Sequence, residues 1–449
     1  MACAVALSQL GYQVTLIEKR PMLGGRASSF IDAETGEVMD VCQHGTMRCC
    51  TNLQWLLAAL GVEDQIRWLS ALEFADSSGH RFPLRAGILP APLHMAASFA
   101  RFGALQLADK LAIARGMLRI LRTGEEADRD DRSMEAWLRE TRQTPRAVSR
   151  FWQPVLVSAC NDSPACISQA VGLKVFRYGF LRNRSGWQFG LPGVPLGTLF
   201  TGPAERVVAA AGGVVRLRTH IAQFEIDRSS DGAAITGYQL QSGETVRASH
   251  YISALPFDAL ARMAPEALGP GGLEFAPIAG VHLWFEGRIE APHALALLDC
   301  DADWVFNKTA NFAMAENGET WLHVVKSSAG EWCASEREAV RDRALEGLYG
   351  ALPRAREHRL LRWKVLKERK ATFRPGPGVA ALRPGPESSL NGLVLAGEWT
   401  NTGWPSTMES AARSGLRAAE AIAARDGMPT ALVQPDLSPS TLVRWLSAC

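Results

Sequence analysis

No cysteine in this chain has a second cysteine three residues away. The nine thiols (Cys3, Cys42, Cys49, Cys50, Cys160, Cys166, Cys300, Cys333 and Cys449) form neither a CxxC pair nor a CxxCH haem signature. Zinc and dithiol-redox readings are therefore without support, and no metal is implied. An odd count scattered over 449 residues fits reduced, mostly buried thiols in a cytosolic protein. Surplus charge is missing too: 48 Lys and Arg face 46 Asp and Glu, a net of +2, so nothing in the composition points to nucleic acid. Nor is any apolar run long enough to span a bilayer. The most apolar window, AGILPAPLHMAASFA (Ala86 to Ala100), is fenced by Arg85 and Arg101 and interrupted by Pro90, Pro92 and His94. The apolar opening Ala2 to Leu7 lacks a basic flank and a small-residue cleavage site, which argues against a signal peptide.

What remains is a globular chain, 47% hydrophobic and long enough for about two to three domains. Its first part alternates helix and strand signals: a helix-like run Ala2 to Gln9, a strand in GYQVTLIEKR, an amphipathic helix in TNLQWLLAALGVEDQI and a hairpin around Ser77-Ser78-Gly79. From Leu93 to Arg122 apolar residues recur at helical spacing, broken by Gly103 and Gly116, and Ser133 is placed to cap the helix that starts at SMEAWLRE. Helix, Gly-Gly break and strand return at GPAERVVAAAGGVVRLRTHI, followed by a hairpin around Ser242-Gly243 and a strand-rich stretch to about Arg383. GLVLAGEW then reads as a buried strand and TMESAARSGLRAAEAIAA as a helix opened by Ser406-Thr407. The pieces of one α/β unit are thus separated by two insertions.

Three features carry chemistry. Glu18 stands at a strand end, where dinucleotide-binding βαβ units place a carboxylate on the ribose hydroxyls, although a solvated turn acid would look the same. Gly24, Gly25 and Arg26 follow: the glycines permit close backbone approach to an anion, and the arginine supplies a forked donor. Near the far end, Gly397-Glu398 follows an apolar strand and precedes a helix start at Ser406-Thr407-Met408, whose free amides suit an electron-rich carbonyl edge such as the pyrimidine side of a flavin.

Strand-Glu18, GGR, GGVVRLRTHI and LAGEWTNTGWPSTMESAARSG together resemble the FAD-dependent amine oxidase and phytoene desaturase superfamily. GEVMDVCQHGTMRCCTNL, LPAPLH and FWQPVLVSACNDSP are more narrowly similar to the hydroxysqualene dehydroxylase family, also called squalene-associated FAD-dependent desaturases. The likeness runs to about Ala424. It departs from the pattern at Val41, Gly45, Thr46, Arg48 and Ser410. The fold it implies is α/β: a discontinuous Rossmann-like FAD-binding domain (1–84, 200–255 and 385–425), a mixed helical and β substrate domain (85–199 and 256–384), and a tail (426–449).

By the same resemblance Glu18 would hold the adenosine ribose, with Gly24 and Gly25 beside Arg26 at the pyrophosphate and Ile221 offering backbone near the adenine. Gly397 and Glu398 would meet the ribitol or pyrophosphate, Thr407 and Met408 would face the flavin, and Gln43 and His44 would lie close to its ring. The opening strand and GxGxxG loop of such a unit are not in this sequence. The chain as written is therefore expected to bind FAD weakly or not at all, and a version extended upstream by a strand and Gly-rich loop to bind it well.

The implied reaction replaces an allylic hydroxyl of an apolar C30 isoprenoid with hydride from FAD that an NAD(P)H-linked donor has reduced, giving squalene. Such a reaction needs an acid at the departing oxygen and electron-rich walls. His44 is the first acid candidate and Asp162 the second, with Trp152, Trp187 and Trp404 as π-faces, although packing roles would explain all three rings. A substrate of this kind comes from a bilayer, so residues 84–122, with their prolines, aromatics and arginines, are expected to give peripheral contact at the cytoplasmic membrane face, unless they simply cap the substrate cavity. A carotenoid-type desaturase running hydride the other way, and a non-catalytic isoprenoid-binding relative, are the competing readings.

Overall fold

The computed structural model describes residues 1–229, 232–269, 271–314 and 318–448. In chain order, the elements that position the site begin with α1 (Ala2–Gln9), β1 (Thr15–Ile17), α2 (Thr51–Ala59), β2 (Leu72–Ala75) and β3 (Arg81–Leu84). The middle of the chain supplies α3 (Leu107–Arg122), β4 (Val214–Arg216), β5 (Tyr251–Ser253), β6 (Phe275–Glu286), β7 (Ala294–Leu297) and β8 (Trp304–Asn307). The last third adds β9 (Glu319–Ser327), α4 (Arg337–Ala351), β10 (Leu360–Phe373), β11 (Leu393–Leu395), α5 (Met408–Arg425) and α6 (Thr441–Ala448).

Helix α1 has no polar face: Ala2 to Ser8 are all buried, so the helix must be enclosed on every side. Its small side chains allow it to lie against α5, itself lined by Ala412, Gly415, Ala418 and Ala419. Around this pair stand two parallel ladders, β1 with β4 and β5 with β11. The two ladders share no backbone pair among the described residues.

The largest layer is a seven-stranded sheet in the order β10-β6-β9-β8-β7-β2-β3. Alternation gives it two different faces. Val281, Leu283 and Phe285 of β6 and Leu322 and Val324 of β9 join Val340, Ala344 and Leu348 of α4 in a dry core. The opposite face carries Gly280, His282 and Trp284 opposite Val325, His323 and Trp321, and it looks toward the Met39–Cys42 segment.

Two details differ from the expectation. The 72–84 hairpin, placed by sequence in the nucleotide unit, extends the seven-stranded sheet instead, because Phe74 and Ala75 pair with Ala296 and Leu297. Gly116 does not break its helix; α3 runs through it. A Cβ there would sit 2.9 Å from the Trp152 ring, so this glycine marks the close approach of a neighbouring helix. The Ser133 cap forms as expected, accepting from the Ala136 amide. Among the described residues no helix is long and apolar enough to cross a membrane.

The α1–α5 contact generates a stability prediction. A Cβ on Gly415 would lie 2.8 Å from the Cys3 amide nitrogen and 2.9 Å from Ala2 Cβ. Replacing a helical glycine by alanine ordinarily gains up to about 1 kcal/mol. Here the clash is with backbone and cannot be relieved by a rotamer, so overpacking wins. Gly415→Ala is expected to lose about 1–3 kcal/mol, read as a lower urea midpoint at unchanged slope.

Candidate functional site

The Gly-Gly-Arg turn lies where the nucleotide unit meets the large sheet. Gly24 and Gly25 both have positive φ, and a Cβ on Gly24 would overlap the Ala27 carbonyl at 2.2 Å. Only glycine fits such a turn. It aims Arg26 at two targets: its Nη1 donates to the Ala371 carbonyl on β10 at 3.0 Å, and its guanidinium forms an ion pair with Glu398. Glu398 is presented by a third positive-φ glycine, Gly397, whose Cβ would collide with the Trp399 ring at 2.6 Å. Behind it Ser414 Oγ accepts from the Gly397 amide at 2.8 Å and Ser410 Oγ donates to the Glu398 carbonyl at 3.0 Å. Thr407 caps α5 by accepting from Ser410 N at 3.2 Å, which leaves the Met408 amide at the positive end of the helix.

Arg26 and Glu398, separated by most of the chain, are thus one unit. Glu18 sits just past β1: its amide donates to the Arg216 carbonyl, its own carbonyl accepts from Thr219 N, and its carboxylate accepts from Arg20 N at 2.9 Å. Ile221 opens the adjacent hairpin strand, two residues beyond Thr219. Three positive-φ glycines, an arginine and a carboxylate on one seam, with a helix N-terminus beside them, fit an extended dinucleotide. The residues present could hold FAD from Glu18 and Ile221 at one end to Thr407 and Met408 at the other.

The Gln43–His44 segment lies against the large sheet, held by a residue to which the sequence did not point. Lys308, in the first turn after β8, is wholly buried. Its Nζ donates to Asp40 Oδ2 and to Gln43 Oε1, each at 2.9 Å, and lies 4.1 Å from the centre of the Phe312 ring. Asp40 Oδ1 accepts from Ser29 Oγ at 2.8 Å and Leu196 N at 2.9 Å. Gln43 Nε2 donates to the His44 carbonyl at 2.8 Å, and His44 Nδ1 lies 3.1 Å from the Cys42 carbonyl. Burial is the main reason that the His44 imidazole is held below its ordinary pKa; Lys308 and Arg26 push it in the same direction, against Asp40.

Next to Lys308, the rings of His282 and His323 stack with centroids 3.8 Å apart on paired positions of β6 and β9. Trp321 Nε1 donates to His282 Nδ1 at 3.1 Å, while His282 Nε2 and both His323 nitrogens are buried without a partner. Both imidazoles are held well below 6.5, by burial first and then by the charges nearby. The clue in the sequence was the pair of apolar strands GVHLWF and WLHVVK, each with a histidine on one face. Lys308 left no comparable trace, since a lysine opening a short helix after an apolar strand looks like any surface cation.

The other acid candidate and the candidate rings have partners of their own. The Asp162 carboxylate is committed to Arg374 at 3.2 Å and to Ser163 N at 2.9 Å, where it ties a loop under β6 and β10. Its role is that of an anchor rather than an acid beside Gln43 and His44. Trp404 is packed on Tyr178, with the Arg413 guanidinium already over its face at 5.4 Å. Trp152 and Trp187 are core residues of the helical region, and Trp152 Nε1 is satisfied by Gln143 Oε1 at 2.8 Å. The aromatic wall is supplied instead by Trp304, stacked on Phe306 at 5.6 Å and close to Phe189 at 5.9 Å.

Comparison with known proteins agrees with this geometry. The family described as flavin containing amine oxidoreductase matches residues 1–423. A 15-cis-phytoene desaturase of Synechococcus elongatus is 26% identical over 456 residues, covering 95% of this chain and 94% of its own length. A hydroxysqualene dehydroxylase of Zymomonas mobilis is 25% identical over 423 residues, covering 94% and 95%. Among solved structures, an oxidoreductase from Methanosarcina mazei superposes with a TM-score of 0.67 at 16% identity, over 92% of this chain and 96% of its own.

Two outcomes follow from the buried charges. Lys308→Met leaves the buried Asp40 carboxyl without its cation, so unfolding stability is expected to fall by about 3–5 kcal/mol, and adding Asp40→Asn should restore part of the loss in urea titrations. The histidine pair makes stability depend on pH. In the unfolded chain both rings take up protons near 6.5, whereas the folded state resists until lower pH, so their contribution is full above that value and is lost on acidification. His323→Leu should flatten the fall in urea midpoint between about pH 7 and pH 5.

Proposed function

The chain belongs to the flavin-containing amine oxidoreductase family, and from that premise we propose that this FAD-dependent oxidoreductase removes an allylic hydroxyl from hydroxysqualene, a C30 isoprenoid, giving squalene for squalene or hopanoid synthesis. One observation carries the reading: Lys308 fastens the Cys42–Gln43–His44 segment against an aromatic and apolar sheet face. Reduced FAD supplies the hydride when bound, and an NAD(P)H-linked donor would renew it.

The chain's own residues have three tasks. Val325, Leu191, Ala294 and the Trp304–Phe306 stack keep water from a hydrocarbon and offer π-faces to developing positive charge. Lys308, through Gln43, holds the backbone that carries His44. With Nδ1 turned to the Cys42 carbonyl, His44 has Nε2 left for the leaving oxygen, which departs as water once it has taken a proton. That nitrogen donates only in the imidazolium form, which the lowered pKa makes scarce at neutral pH. Turnover should therefore rise as pH falls from about 7.5 to 6, and His44→Gln should remove that rise while lowering kcat by about 10²-fold.

A second reading, desaturation of a phytoene-type carotenoid, gains support from His323, whose neutral imidazole has both nitrogens unpartnered and so keeps a lone pair for a proton. Product analysis separates the two. Protein reconstituted with FAD is given hydroxysqualene under reducing, anaerobic conditions and phytoene under oxidising ones. Squalene from the first alone supports dehydroxylation; turnover of phytoene alone overturns it.

A further inference from the structure

Thirteen large apolar side chains are exposed among the described residues, and seven of them fall on three adjoining segments. The loop before α3 presents Ile88, 91% exposed, with Leu89 and Leu93. Helix α3 presents Leu107, Leu111 and Leu118, the first of them 72% exposed, and α6 presents Trp445 at 64%. The segments are joined: α6 packs on α3, and Ser440 Oγ just before it donates to the Ala91 carbonyl at 2.6 Å.

Helix α3 shows why this is more than scatter. Its core-facing residues are Ala112, Ile113, Gly116 and Ile120. Leu107, Leu111, Ala114 and Leu118 recur at intervals of four, three and four and form a second stripe, which no part of the described chain covers. A helix apolar on two faces has one face reserved for something outside the fold.

The charges around that stripe say what the occupant is. Between residues 85 and 122 there are six Lys and Arg and a single carboxylate, Asp109. Asp109 is buried and spent on capping α3 and on the Thr144 hydroxyl. Arg119 shares Glu140, and Lys110 donates to the Ala100 carbonyl at 2.7 Å. Arg101 and Arg122 are exposed and have no acidic partner among the described residues. Apolar side chains flanked by unpaired cations, with a tryptophan at the margin, are what an interfacial helix offers to anionic lipid. A second copy meeting the same patch would face like charge.

We propose that this face docks the protein on an anionic lipid bilayer, with the Ile88–Leu89 loop, the Leu107–Leu118 stripe of α3 and Trp445 of α6 seated at the boundary between headgroups and acyl chains. Behind it one apolar cluster runs from Ala91 and Met95 through Phe102 and Trp152 to Trp304, at the aromatic wall of the candidate site. Use of that path by an isoprenoid rests on the proposed function; docking itself does not.

The test is co-sedimentation of the full chain with phosphatidylcholine vesicles, with and without phosphatidylglycerol, in low and high salt. Binding is expected only where phosphatidylglycerol is present, and it should weaken with salt. Leu107→Ser combined with Leu111→Ser and Leu118→Ser should cut the partition coefficient by about tenfold or more, and Ile88→Ser with Leu89→Ser should act in the same direction. Arg101→Glu with Arg122→Glu should abolish the preference for the anionic lipid. All these positions are exposed, so unchanged melting temperatures are expected. Failure to bind either vesicle, or binding untouched by every variant, overturns the proposal. So does a dimer in solution that the leucine substitutions dissolve without any vesicle binding, which would give the face to a second copy. Vesicle binding is read without turnover, so its failure leaves the reaction assignment standing.

Discussion

The ion pair between Lys308 and Asp40 is the contact on which the site depends. Both side chains are almost completely withdrawn from water. Each ion loses several kcal/mol of hydration, a cost that one Coulomb contact does not reliably offset. Further partners close the gap: Gln43 Oε1 and the Phe312 ring for the ammonium, Ser29 Oγ and Leu196 N for the carboxylate. Those partners come from four separate stretches of chain. The pair therefore acts less as a source of stability than as a register pin, because a shift of any of these segments would leave one of its buried polar atoms without a partner.

The same charge shapes the chemistry around it. A buried ammonium beside His282, His323 and His44 disfavours a second positive charge, and burial acts in the same sense on all three. The sheet face is thereby held electrically quiet, with neutral rings and aromatic side chains. Such a face suits a hydrocarbon whose only transient charge is its own. Arg26 is paired with Glu398 at the opposite side of the seam, and its charge still reaches His44, where it acts with Lys308 against protonation.

Local patterns in the sequence announced much of this. Glu18, the Gly24–Gly25–Arg26 turn, Gly397–Glu398 and the Thr407 cap stand where strand, turn and helix signals placed them, since each is determined by backbone geometry over a few residues. Arg26 and Glu398 were each expected at the cofactor, and their ion pair with each other was not among the expectations. Illegible were the contacts that depend on tertiary pairing: Lys308 on Asp40, His282 on His323, and the 72–84 hairpin on β7. Asp162, Trp152 and Trp404 show how tertiary partners settle what residue type leaves open. Arg374 sits on the Asp162 carboxylate, the Arg413 guanidinium lies over the Trp404 ring and Gln143 accepts from the Trp152 N–H, in keeping with the packing roles that the sequence also allowed for the rings.

Helix α3 ties these observations together. Gly116 lets Trp152 approach closely enough to fill the space that a side chain would occupy, which seals the inner stripe of the helix against the core. With that stripe fully used, Leu107, Leu111 and Leu118 cannot be turned inward by any rotation of the helix without exposing Ile113 and Ile120 instead. Folding cannot remove both apolar stripes from water at once. The outer one is therefore a property of the sequence that the fold is unable to correct, and the unpaired arginines beside it make it suited to a charged lipid surface rather than to a neighbour of its own kind.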